Sequence, residues 1–215
     1  EPITVAFLPS FAGSDLRLTS WAALDAQTCA ARFADLETKL RERLGTHIYG
    51  TGNADLAVVV GDMLRARKLT VAVAESCTGG LLGKRLTDAS GSSDYFTTGF
   101  VTYANDPKQT FLGVKAETLN AHGAVSEAVA SEMAVGALHA ARSDVAVSIT
   151  GIAGPTGGTP EKPVGLVWTA AARGDVVRTR SFIMPGDRAE VRERAAQMAL
   201  ALLYDMLLSQ KADAR

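Results

Sequence analysis

The sequence is poor in cysteine and histidine, has no long apolar run and carries almost no net charge. Its two cysteines are Cys29 and Cys77, and its three histidines are His47, His122 and His139. Two cysteines form at most one bridge, which excludes a disulfide scaffold. The histidines are far apart, and no Cys-x-x-Cys, His-x-His or His-Glu-x-x-His occurs. That leaves too few clustered ligands for zinc, so no metal is expected. The purely apolar runs are a few residues long. A membrane-spanning helix needs roughly 18–20. With 22 basic and 23 acidic residues, the net charge is −1. This gives no broad electrostatic footprint for DNA or an anionic membrane. No basic-then-apolar leader opens the sequence, so the expected compartment is the cytoplasm. The chain starts Glu1-Pro2-Ile3 without methionine, which reads as a piece of something longer.

What is present fits a folded protein. Hydrophobic residues make up 47% and charged residues 21%. These values exclude a disordered, collagen-like or coiled-coil chain. A length of 215 residues suits one ordinary domain, or one domain with a small attachment.

Periodicity divides the chain near residue 52. Residues 3–9 read as a strand stopped by Pro9, and residues 15–21 as a half-buried strand. Phe33, Leu36, Leu40 and Leu44 fall at helical spacing over 25–44, closed by Gly45. A short strand is expected at 47–49, then a linker at 50–53. Asn53 is expected to cap a helix over 54–67 with Leu56, Val59, Val60, Met63 and Leu64 as its apolar stripe. Strands follow at 69–74, 97–103, 145–150, 164–171 and 176–184. Helices are expected at 78–87, 107–112, 127–142 (capped by Ser126) and 188–208 (opened by a capping box of Asp187 and Glu190). Val191, Ala195, Met198, Leu202 and Met206 form the buried face of the last helix. Strands alternating with helices, then a strand pair joined at Gly174-Asp175, predict an α/β sandwich with a mixed sheet.

Four segments carry residues suited to chemistry. Ala-Glu-Ser-Cys-Thr-Gly-Gly at 74–80 follows an apolar strand and precedes a helix. Ligands of open α/β sheets bind at such strand ends, where helix N–H groups can hold an anion. Ser76 is placed there as a nucleophile, although Ser76 and Thr78 are equally suited to capping the helix. The P-loop, the Gly-x-Ser-x-Gly elbow and Ser-x-x-Lys all fail to match. Cys77 is a rival nucleophile. Tyr103 and Lys108 lie in a second segment at a strand end. A buried, neutral Lys108 could serve Ser76 as base with Tyr103 as relay, whereas an exposed lysine could not. Residues 150–160 form a glycine-rich third segment that could approach a phosphate or a flat ring, or simply be a surface loop. Arg188 and Arg192 lie four apart on one helix face. They could clamp a phosphate or pair with Glu190 and Glu193.

Taken together these residues resemble one family. Ala-Glu-Ser-Cys-Thr-Gly-Gly at 74–80, Tyr-x-Asn-x-x-Lys at 103–108, His-Gly-Ala-Val-Ser at 122–126, Thr-Gly-Ile-Ala-Gly-Pro at 150–155, Pro-Glu-Lys-Pro-Val-Gly at 160–165 and Gly-Asp-Arg-x-x-x-Arg at 186–192 occur in order. The run resembles the CinA C-terminal domain over about residues 53–210. That family is named for competence and damage inducibility and includes nicotinamide mononucleotide deamidases. The resemblance implies a three-layer α/β/α sandwich over 53–215. It also implies that residues 1–52 are a small α+β connecting domain. In longer relatives a molybdopterin-cofactor-binding-like domain linked to ADP-ribose hydrolysis comes first; it is not in this sequence, and its activity is not expected.

The implied reaction is hydrolysis of the nicotinamide carboxamide to nicotinate mononucleotide and ammonia. By resemblance Ser76 is the nucleophile, Lys108 the base and Tyr103 the assisting residue. Glu75, Cys77, Thr78, Gly79, Gly80, Asn105, Thr150, Gly151, Ala153 and Gly154 would surround the substrate, with the oxyanion on N–H groups near 77–80. Arg188 or Arg192 would bind the phosphate. No cofactor is implied, a homodimer is, and direct nucleic-acid binding is not expected. A non-catalytic nucleotide-binding scaffold in competence or damage response is the alternative reading, and a cysteine enzyme using Cys77 a third.

Overall fold

The structure, a computed structural model, describes residues 3–209 except 12 and 22. The last residues of the expected second domain, 210–215, lie outside the described residues. The chain divides into two compact units, residues 1–55 and 56–215.

The first unit is small and α+β. Strands β1 (Ile3–Ser10) and β2 (Gly13–Ser20) pair antiparallel, and helix α1 spans Ala26–Leu44. β1 is not stopped by Pro9, which pairs with Ser14. In a two-stranded ribbon every strand is an edge, and an edge tolerates a residue without N–H. Asp25 caps α1 by accepting from Thr28 N–H at 2.9 Å. The strand expected at 47–49 does not form. Residues Gly45–His47 instead make a 3-10 turn, and Ile48 N–H returns to Gly45 O at 3.3 Å. Three apolar-leaning residues are a weak strand signal without a partner.

The second unit is a mixed five-stranded sheet between helices. Its elements are α2 (Leu56–Ala66), β3 (Val71–Glu75), α3 (Leu81–Thr87), β4 (Phe96–Val101), α4 (Asn105–Leu112), α5 (Ala116–His122), α6 (Glu127–Ala141), β5 (Val145–Gly151), β6 (Leu166–Arg173), β7 (Val176–Ile183) and α7 (Arg188–Ser209). The strand order is β4-β3-β5-β6-β7. β3 is parallel to β4 and β5, while β5–β6 and β6–β7 are antiparallel.

Side-chain alternation assigns the two faces. Ala72, Ala74, Ala146, Ala170 and Ala172 lie in one cluster with Val129, Met133, Ala134 and Leu138 of α6. Small strand residues let α6 lie close to the sheet. Ser148 Oγ donates to Ala130 O at 2.6 Å across this contact. Gly136 of α6 lies against the Leu112 carbonyl at the end of α4, leaving no space for a Cβ. On the other face α7 buries Val191, Leu200, Leu202, Leu203 and Met206, each contributing about 1.5–3 kcal/mol. Met198 is only half-buried. The capping box of α7 forms: Asp187 N–H donates to Glu190 Oε2 at 2.9 Å and Glu190 N–H to Asp187 Oδ1 at 3.0 Å.

Two helical details differ from the sequence expectation. α2 starts at Leu56, so Asn53 lies too early to cap it. α5 was not anticipated. Its start is held from another helix: Glu132 of α6 accepts from Lys115 N–H at 2.9 Å and from Thr118 Oγ1 at 2.8 Å. Such a cap is invisible to local sequence pattern.

Three chain segments converge at the carboxyl ends of the parallel strands. They are the turn after β3, the segment after β4 and the end of β5.

Candidate active site

The turn 76–80 connects β3 to α3. Ser76 stands at its start and is 9% exposed. Ser76 N–H continues the sheet ladder to Ile149 O at 3.0 Å, which fixes its backbone to β5. Gly79 and Gly80 take φ of 61° and 97°. Residues with a Cβ are strained in this region, so the two glycines make the turn possible.

Glu75 lies beneath this turn. It is 1% exposed. Its carboxylate accepts from Gly80 N–H at 3.0 Å, Leu82 N–H at 3.1 Å and Gly83 N–H at 2.8 Å. The N-terminus of α3 is therefore occupied by the protein's own anion. Gly79 N–H donates to Ser76 O at 3.1 Å. The N–H groups of Cys77 and Thr78 donate to no other residue among those described.

Lys108 comes from α4 and is 1% exposed. Its Nζ lies 3.1 Å from Ser76 Oγ, 2.7 Å from Thr102 O and 3.4 Å from Ala104 O. These neighbours are a hydroxyl and two carbonyls, and no carboxylate is among them. Burial lowers the Lys108 pKa below the usual lysine value. A neutral amine has two N–H bonds and one lone pair. As an ammonium Lys108 donates to all three oxygens; once neutral, it can keep its two N–H bonds on the carbonyls and offer its lone pair to Ser76 Oγ.

A cleft of about 280 Å³ opens over this pair. Ser76, Cys77, Tyr103 and Lys108 line it, together with Thr150, Gly151, Ala153, Gly154 and Arg188. Arg188 is exposed and bridges two of these segments. It donates to Gly154 O at 2.8 Å and to Tyr103 Oη at 2.7 Å. The Tyr103 side chain sits at the rim, 58% exposed. Thr150 Oγ1 donates to Ala124 O at 2.8 Å and ties β5 to the segment before α6.

Six of the expected binding residues do not line the cleft. Glu75, Thr78, Gly79 and Gly80 build the turn, Asn105 opens α4 at the surface, and Arg192 holds Thr78 O from α7. Cys77 lines the cleft, but burial pushes its thiol up to about 11. Sequence reasoning missed Thr102 and Ala104, whose carbonyls hold Lys108 Nζ. It also missed Ala124 and Val125, which line the cleft. The latter pair sits inside the His-Gly-Ala-Val-Ser run and could have been found there.

Comparison with known proteins gives the family. The CinA C-terminal domain family matches residues 53–207. The damage-inducible protein CinA KH domain matches residues 1–50. The chain belongs to the CinA family. A CinA-like protein of Gemmatimonas aurantiaca is 52% identical over 197 residues, covering 91% of this chain and 46% of that protein. A CinA-like protein of Salinibacter ruber is 49% identical over 202 residues, covering 93% and 48%. This chain thus spans about half the length of the curated CinA relatives it matches. The crystal structure of competence/damage inducible protein CihA from Agrobacterium tumefaciens is 43% identical with a TM-score of 0.68, covering 73% of this chain and 93% of that one. Every residue of the cleft falls within the match to the CinA C-terminal domain. Among the described residues no helix is long and apolar enough to cross a membrane. None of them form a His, Cys, Asp or Glu group suited to a metal.

Proposed function

We propose that this CinA-family chain is an amidohydrolase acting on nicotinamide mononucleotide. The observation that carries the reading is the buried Ser76–Lys108 pair at 3.1 Å, set beside the Cys77 and Thr78 N–H groups, which donate to no other residue among those described. A serine needs a base, and a lysine serves when its environment keeps it neutral.

The Lys108 lone pair takes the Ser76 Oγ proton as Oγ bonds to the carboxamide carbon. The carbonyl electrons move to oxygen, and the oxyanion is held by Cys77 and Thr78 N–H. The C–N bond breaks as Lys108 returns its proton to nitrogen, and ammonia leaves. Water then attacks the acyl-enzyme and gives its proton to Lys108. The C–Oγ bond breaks, Ser76 regains the proton, and nicotinate mononucleotide departs. Tyr103, held by Arg188, closes the rim over the pyridine ring. Arg188, which lines the cleft at its rim, supplies the phosphate partner.

The test is incubation with nicotinamide mononucleotide and measurement of ammonia for wild type and Ser76→Ala. Serine-dependent release supports the reading. Tight binding without release would favour the nucleotide-binding scaffold instead. Residues 1–50 contain no Gly-x-x-Gly, the loop with which KH domains clamp nucleic acid. A direct nucleic-acid role therefore draws no support from this sequence.

A further inference from the structure

Arg192 lies one turn beyond Arg188 on α7, yet it does not line the cleft. Its Nε and Nη2 both donate to Thr78 O, at 3.3 and 2.7 Å. Among the described residues no carboxylate pairs with this guanidinium. Its charge therefore falls on one carbonyl of the turn that carries Ser76.

That carbonyl begins a short chain of peptide groups. Thr78 C=O and Gly79 N–H belong to one peptide unit. Gly79 N–H donates to Ser76 O at 3.1 Å. Ser76 C=O and Cys77 N–H belong to the next unit. Two peptides thus run head to tail from the guanidinium to Cys77 N–H, which donates to no other residue among those described. A cation on the carbonyl of the first draws electron density toward its oxygen and makes its N–H a stronger donor. The second peptide is polarised in turn. Such chains strengthen each bond by roughly 10–30%. The direction of the field is also felt at the neighbouring thiol, where Arg192 favours the anionic form of Cys77 although burial outweighs it.

We propose that Arg192 is a positioning residue of the hydrolytic step: it fixes the turn 76–80 and, through the Thr78–Gly79 and Ser76–Cys77 peptides, strengthens Cys77 N–H toward the developing oxyanion. This rests on the amidohydrolase reading and removes Arg192 from the phosphate site. The gain is realised only where negative charge develops, so it belongs in kcat and not in substrate affinity.

Two variants and two readouts test it. Arg192→Gln should lower kcat for nicotinamide mononucleotide about 10- to 100-fold, a part of the loss seen when an oxyanion donor is removed. KM should change little, and Arg192→Lys, which keeps the charge, should recover part of kcat. Affinity for pyridine-3-boronic acid, which forms a tetrahedral adduct on a serine oxygen, should fall in parallel with kcat and be restored in the same order. An unchanged kcat, or a raised KM at constant kcat, overturns the inference while leaving the amidohydrolase reading intact. If wild type releases no ammonia, that reading fails, and the boronate decides this one alone: weaker binding to Arg192→Gln supports it, equal binding overturns it. A thermal midpoint for each variant separates unfolding from the loss of polarisation.

Discussion

Lys108 Nζ lies 3.1 Å from Ser76 Oγ although the two residues are 32 positions apart in the chain. The contact is made by the sheet. β3 and β4 are parallel neighbours, so the segments leaving their carboxyl ends meet. Thr102 N–H continues that ladder to Glu75 O at 2.8 Å, and Thr102 O holds Lys108 Nζ. Ser76 and Lys108 thus hang from the ends of adjacent strands of one sheet.

The protonation of Lys108 sets a pH dependence for activity. Burial lowers its folded-state pKa below 10.5. Only the neutral amine accepts the serine proton. We therefore expect kcat/KM to rise with pH through the lowered value and then level off. A profile flat across that limb would contradict a lysine base.

The same group sets a pH dependence for stability. Between the lowered folded-state value and 10.5 in the unfolded chain, the unfolded state binds more protons. Stability therefore rises with pH across that window. Lys108→Met removes this dependence while keeping most of the side-chain volume. Its stability relative to wild type should grow as pH falls through the window. Denaturant midpoints at several pH values check this, and parallel curves for the two proteins would count against it.

Cys77 is expected to be a bystander. With its thiol pushed up to about 11, the thiolate is scarce near neutral pH, and the thiolate is the reactive form. Cys77→Ser should keep most of the amidase activity, and iodoacetamide should label the folded protein slowly. Loss of turnover in Cys77→Ser would revive the cysteine-enzyme reading.

Glu75 should matter for stability first. Its carboxylate binds three N–H groups at the start of α3. Glu75→Ala leaves those donors without a partner in a buried place and should cost about 3 kcal/mol or more. Glu75→Gln keeps one acceptor oxygen and should cost less. Urea unfolding measures both, and a loss below about 0.5 kcal/mol would mean that the turn is held by something else.

Arg188 should discriminate by phosphate. Removing one charge-assisted partner is worth about 1.5–3 kcal/mol, so Arg188→Ala should raise KM for nicotinamide mononucleotide about 10- to 150-fold. Nicotinamide riboside, which has no phosphate, should show no such rise. Equal effects on both substrates would assign Arg188 to holding Tyr103 and Gly154 alone.

Much of the fold was legible because its signals are local. Strand and helix periods, the Ser126 cap and the Asp187–Glu190 box all act within a few residues. The two first strands, expected at 3–9 and 15–21, and the mixed sheet follow from the same patterning, although β1 and β2 meet in a tighter ribbon, Ile3–Ser10 with Gly13–Ser20. Elements that depend on distant partners were not legible. α5 is capped by Glu132 of another helix, and among the described residues no strand pairs with 47–49. The site divides in the same way. Ser76, Tyr103 and Lys108 stand in short motifs on which the resemblance rests, and the fold brings Ser76 and Lys108 into contact. The part played by Glu75 depends on where α3 begins, and that of Arg192 on how α7 packs against the turn. The Glu75 partners lie only five to eight residues on, but which N–H groups are free depends on the helix start; the Arg192 partner lies 114 positions away.

The central claim is that Ser76 and Lys108 act as one nucleophile–base unit. Its most direct measurement is ammonia released from nicotinamide mononucleotide by wild type, Ser76→Ala, Lys108→Met and the double variant. Members of one unit are non-additive, so each single variant should fall about 10³-fold or more and the double variant no further. Undiminished release by Ser76→Ala, or single losses that multiply in the double variant, would contradict the account.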